Sequence, residues 1–134
     1  MKALSIRQPW AWLILHAGKD IENRDWPTRY RGPILIHASK GMTRSEYDDA
    51  EATAYGTLRL LGPTSDFPLP KFNDIERGGI IGQVDLVDCV QDSTSPWFFG
   101  KYGFVLRNPK PLPFTPLKGQ LGFFDVPSIE GVST

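Results

Sequence analysis

Eight residues between Pro9 and Gly18, WAWLILHA, are apolar almost all the way round a helical wheel, so a helix here must be buried on more than one side. The rest of the chain therefore has to cover it. Pro9 stands where a first-turn proline is tolerated, and Gly18 where a glycine ends a helix. Trp10, Leu13, Ile14 and Ala17 share one face, while Trp12 and His16 lie four apart on another, with Trp12 assigned to core packing. Gln8 and Trp10, at the helix entrance beside Arg7, either pack or face a site.

The covering elements read as short strands. Residues 2–7 alternate apolar and polar. Residues 34–39 place Ile34, Ile36 and Ala38 on one face and Leu35, His37 and Ser39 on the other, so His37 falls on the less apolar face of a half-buried strand. Thr43 and Glu46 have capping-box spacing, opening a helix over 44–61 with Tyr47, Ala50, Ala54, Leu58 and Leu61 inward, stopped by Gly62-Pro63. Its acidic first turn suits the helix dipole and is not read as a metal site. A loop over 62–79 is ordered by Phe67, Leu69 and Phe72. Residues 79–90 form a long central strand, with Ile80, Val84 and Leu86 on one side and Ile81, Val87 and Cys89 on the other; Gly82 marks a bulge or bend. A polar turn over 93–97 presents Trp97 as an exposed aromatic. A strand at 102–106, a proline-rich crossing at 108–116 and a closing strand at 121–126 complete the chain. The sum is an α+β fold, a small mixed barrel flanked by helices, with residues 1–134 as a single domain.

Composition narrows the chemistry. The chain of 134 residues is long enough for a core of its own, and its one cysteine, Cys89, excludes an internal disulfide and a cysteine-rich zinc site. No apolar run approaches the roughly 20 residues of a membrane span. The start, MKALSIRQPW, lacks the features of a signal peptide, so a cytoplasmic location is expected. Fifteen cations balance fifteen carboxylates, but unevenly: residues 1–44 hold eight Lys/Arg against three Asp/Glu, and residues 45–92 three against ten. A local basic patch is possible without bulk attraction for polyanions. Two histidines with no Cys/His spacing, a GGIIGQ without the lysine of a phosphate loop, and no G-x-S-x-G elbow leave no cofactor or metal to expect.

Residues 18–39, GKDIENRDWPTRYRGPILIHAS, are where a ligand is expected. Rings set among cations suit a flat, negatively charged guest such as a nucleotide. Arg24 and Arg31 are the best phosphate ligands, because a guanidinium binds two oxygens at once. Trp26 either lodges under the Arg31 turn or is free to stack. Lys19 follows a helix-ending glycine. Enclosed beside Arg24 and Arg31 its pKa would fall, through like charge and desolvation, which would fit a base or nucleophile; the plain alternative is a solvated lysine. Strict strand alternation does not put Lys19 beside Glu22, and their convergence needs a bend.

With those residues in place the chain resembles the ASCH domain family, named for activating signal cointegrator homology, within the PUA-like superfamily. The matching stretches are SIRQPWAWLI, GKDIENRDWPTRYRGPILIHAS, GGIIGQVDLVDCV and SPWFFGKYGFVLRNPKPL, and the G-x-K-x-x-E-x-R signature falls on Gly18, Lys19, Glu22 and Arg24. The resemblance implies a bent PUA-like β-barrel with a pocket, lined by Lys19, Glu22 and Arg24, that meets RNA or another nucleic acid. It also implies a hydrolase alternative. One small bacterial relative removes an acyl group from a modified cytidine, and another member is described as a ribonuclease. Lys19 matches the amidohydrolase's lysine; Glu22 stands where that enzyme has threonine, and its distant glutamate has no counterpart assigned here.

Two functions follow. In a binding module, a single-stranded or modified base stacks on Trp26 or Trp97 and phosphates meet Arg7, Arg24 and Arg31, with Gln8, Trp10, Lys19, Glu22, His37 and Ser39 completing the candidate site. In an enzyme, Lys19 and Glu22 are catalytic, and Arg24 or a backbone amide steadies an oxyanion on an acylated nucleoside or RNA. A protein-interaction role, through the acidic central helix, is the third.

Overall fold

A computed structural model describes residues 1–60 and 68–127. The elements run β1 (Lys2–Ile6), α1 (Trp10–His16), β2 (Ile21–Arg24), β3 (Gly32–Ala38), α2 (Arg44–Leu60), β4 (Gly79–Val90), β5 (Tyr102–Pro116) and β6 (Phe123–Asp125). The strands make one six-stranded sheet in the order β2-β5-β4-β3-β1-β6, with β4 central and β1/β3 the parallel pair. This sheet curls into a half-barrel, an α+β fold in keeping with a PUA-like barrel. β2 and β6 end the sheet on either side of an open seam, and rings close it. Trp26 meets Phe104 edge-on at 5.2 Å and Phe123 at 5.7 Å, while Phe104 and Phe123 stack at 6.0 Å.

The apolar helix is covered as its composition demands. Ile14 and Leu15 enter the sheet core with Leu4, Ile34, Ile36, Val84 and Leu86. Leu13 faces Ile21, Ala54, Leu58 and Trp97 on the opposite side. Gln8 serves this helix: its Oε1 accepts the Trp12 N–H at 2.9 Å and its Nε2 donates to the Glu76 carbonyl at 2.9 Å, leaving it buried. Gly18 ends the helix at φ +75°, a conformation that a side chain disfavours.

Pairing with β3 explains the corrections on β4. Ile36 opposes Gly82 and His37 opposes Ile80, so Ile81 is the extra residue of a bulge. Ile81 thereby joins Val84 and Leu86 in the main core, and Ile80 joins Ala3, Leu35, Leu112 and Phe124 in a second cluster, contrary to simple alternation. Val87 is exposed, and Cys89 is half-buried against the main core. A Cβ on Gly82 would lie 2.4 Å from a Leu15 methyl and 2.9 Å from the Lys110 carbonyl oxygen. Gly82→Val should therefore cost about 1–3 kcal/mol by overpacking, read as a lower urea midpoint. An unchanged midpoint would mean that helix and sheet do not approach so closely.

Both faces of β3 are covered, so His37 is buried rather than on a half-open face. The proline-rich residues expected as a crossing continue β5 as strand. Prolines 109, 111 and 113 are tolerated because β2 pairs only with residues 102–105, leaving the rest of that edge open. The closing strand is shorter than expected, and Leu121 is fully exposed. The capping box forms: the Glu46 N–H donates to Thr43 Oγ1 at 3.1 Å, and the Thr43 N–H to Glu46 Oε1 at 3.3 Å. Tyr47, Ala50, Ala54 and Leu58 face inward, and Leu69 and Phe72 pack with Met42, Tyr47 and Ile75. Leu61, Gly62, Pro63 and Phe67 lie outside the described residues. No helix among the described residues is long and apolar enough to cross a membrane.

Candidate functional site

The site is built where β2 meets the loop before β5. Asp20 accepts a hydrogen bond from the Ser95 hydroxyl at 2.7 Å. The Asn23 amide donates to the Trp97 carbonyl at 2.9 Å and accepts the Phe99 N–H at 2.8 Å. These bonds draw the loop against β2 and fix its two aromatics in opposite ways. Trp97, expected to be exposed, is 2% exposed and packs among Leu13, Ile21, Ala54 and Leu58, so it offers no stacking face. Phe99 is 55% exposed.

Behind this rim runs a chain of charges. β2 begins only at Ile21, so Lys19 and Asp20 lie in the irregular chain after Gly18, where strand alternation does not hold Lys19 away from Glu22. The Lys19 amine reaches Glu22 Oε1 at 3.4 Å and donates to the Ile21 carbonyl. Glu22 Oε2 in turn accepts from Arg24 at 3.0 Å, and Arg24 Nη2 donates to the Ser5 carbonyl at 2.7 Å. Lys19 is 4% exposed, and burial is the chief reason that its amine ionises below the ordinary lysine range. Glu22, by charge and hydrogen bond, pulls the other way; Arg24 adds to the depression.

The chain ends in a cleft of about 540 Å³ that brings together Arg7, Trp10, Glu22, Arg24, Trp26, Phe99 and Lys101. Trp26 packs against Phe104 and Phe123 at the seam and also lines this cleft. The Arg24 guanidinium lies 6.0 Å from its centroid. Arg7 shares its charge with Glu46, its Nε donating at 2.9 Å. Lys101 forms no ion pair among the described residues.

Other expected residues lie elsewhere. Arg31 donates to the carbonyls of Thr28 and Tyr30 and pairs with Asp88 at 3.7 Å, away from the cleft. Lys19 sits under the Glu22 floor of the cleft and lines instead a smaller hollow of about 280 Å³ with Asp20 and Arg107. His37 and Ser39 line a separate cavity of about 760 Å³. Phe99 and Lys101 escaped the sequence reading, although FFGK follows directly on the Trp97 that drew attention. Among the described residues no group of three or more His, Cys, Asp or Glu could hold a metal.

Comparison with known proteins gives one family. A family model described as the ASCH domain matches residues 4–113. The chain is similar to Activating signal cointegrator 1 of Homo sapiens, 34% identical over 131 residues, and to that of Mus musculus, 34% identical over 126. Each match covers 87% of this chain but 20% of the relative, so the chain spans about one fifth of the length of the curated relatives it matches.

Proposed function

The chain belongs to the ASCH domain family, and from that premise we propose that its 540 Å³ cleft takes up one unpaired base of RNA or of another single-stranded nucleic acid. The observation that carries this reading is the meeting of Trp10, Trp26 and Phe99 with Arg7, Arg24 and Lys101 in one concavity. Its volume lies in the range of small-molecule sites. Rings accept any base on their faces, and an unpaired base is free to leave its own stack. Lys101 and the outer edge of Arg24 are placed for the phosphate. Glu22, facing the same cleft, can accept a hydrogen bond from an exocyclic amine of the base.

Hydrolysis by Lys19 draws less support. Its amine already donates to Glu22 and a carbonyl, and it lies beneath the cleft rather than in its wall. Attack would require it to leave both partners.

The test is a titration of single-stranded RNA and DNA octanucleotides against the matching duplex across a salt series. Single strands should bind in preference, with log K falling by about 0.7 for each phosphate met per decade of salt. Equal binding of the duplex, or no binding of any of them at low salt, would overturn the proposal.

A further inference from the structure

A second hollow, of about 760 Å³, is larger than the cleft just described, and its charged lining residues are two lysines, Lys40 and Lys118, with no carboxylate. Neither lysine forms an ion pair among the described residues. Two unneutralised cations in a hollow are an arrangement that an anion completes.

Ser5 lines both hollows. Its carbonyl accepts Arg24 Nη2 on the first side, and on the second its hydroxyl lies 2.8 Å from His37 Nδ1. His37 Nε2 is 2.6 Å from the Leu117 carbonyl, which can only accept, so Nε2 donates there and Nδ1 is left to the Ser5 hydroxyl. Both imidazole nitrogens are thereby used, and Ser5 is held from each side. Arg7, which lines the first cleft, also lies against the chain next to Lys40: a Cβ on Gly41 would be 3.4 Å from its guanidinium. Cations thus border both hollows: Lys101 with Arg24 and Arg7, the two arginines paired with Glu22 and Glu46, on the first, and Lys40 and Lys118, unpaired among the described residues, on the second. Leu121, fully exposed on the lip of the second cavity, adds an apolar surface there.

We propose that the second cavity receives the phosphates of the next nucleotides of a strand whose base occupies the first cleft, so that the ligand is a polynucleotide running over Ser5 and not a free nucleoside. This rests on the single-base reading of the first cleft. The two ideas separate by ligand length. Affinities of the parent, Lys40→Ala/Lys118→Ala and Phe99→Ala are to be measured for the four nucleoside monophosphates and for single-stranded octanucleotides. The paired lysine variant should bind monophosphates within twofold of the parent. It should bind octanucleotides about tenfold more weakly at 0.15 M salt, with a salt slope smaller by about 1.4, as expected for two lost phosphate contacts. Phe99→Ala should weaken both ligands. Unchanged octanucleotide affinity and slope in the lysine variant, or an equal loss for both ligands, overturns the strand path while leaving the single-base reading standing. Failure of the parent to bind either ligand overturns both. Both lysines are exposed, so an unchanged melting temperature is expected and excludes misfolding as a cause.

Discussion

Glu22→Gln should destabilise the fold by about 3 kcal/mol, near the low end for breaking a buried ion pair, because the amide oxygen still accepts from one cation. In the parent, Glu22 lies between Lys19 and Arg24, with the Lys19 amine almost wholly enclosed. Removing the carboxylate leaves that amine, 4% exposed, charged without its counter-ion. Lys19→Met/Glu22→Gln should recover most of the loss, since replacing a buried charge by a chain of similar volume is often neutral. Urea denaturation of the four proteins completes the cycle. Additive losses would show that the two residues do not interact.

The same pair sets a pH dependence whose sign follows from the depressed Lys19 pKa. Between that lowered value and about 10.5 the unfolded chain holds more protons than the folded one, so stability rises with pH across the window. Below it the amine is charged in both states and the burial penalty is fully in force; above it the amine is neutral in both. Glu22 opposes the depression, so Glu22→Gln should extend the window to lower pH. Lys19→Met should remove this contribution to the slope.

Trp26→Ala should lose both fold and ligand, and Phe99→Ala only the ligand. The Trp26 ring closes the seam against Phe104 and Phe123, and its truncation should cost about 3 kcal/mol, the low end for an aromatic because the ring is only partly buried. Phe99 projects into solvent from a loop held by backbone bonds to Asn23, so its removal should leave the melting temperature unmoved. Each ring that stacks on a base is worth about 1–3 kcal/mol, or roughly 5- to 150-fold in affinity. Binding should therefore weaken by that factor in Phe99→Ala at unchanged stability. A Phe99→Ala protein that binds like the parent would remove Phe99 from the platform.

Local patterns were legible in the sequence, and long-range ones were not. The Thr43–Glu46 capping box and the limits of β4 depend on neighbours along the chain and read directly from residue spacing, while Gly82 marked a bulge or bend whose extra residue, Ile81, only the pairing with β3 identifies. For Lys19 the sequence left two readings open, an enclosed amine of lowered pKa and a solvated lysine; burial, the chief cause of the lowering, comes from packing that spacing alone does not show. Trp97 was misread because its burial is decided by hydrogen bonds from Asn23 and by a cluster of residues from two helices and a strand, all distant in sequence. Phe99 and Lys101 were missed for the same reason. Arg31 sits in the expected turn, but carbonyls of its own loop and Asp88 hold it outside the cleft. Prolines argued against strand at 108–116 only so long as the open edge of β5 could not be seen.

The central claim is that a base settles among Trp10, Trp26 and Phe99. The most direct measurement follows the indole N–H signals of the four tryptophans while a single-stranded octanucleotide is added. The Trp10 and Trp26 signals should move together and saturate, while buried Trp97 stays in place. Saturable binding that leaves Trp10 and Trp26 unmoved would contradict the account.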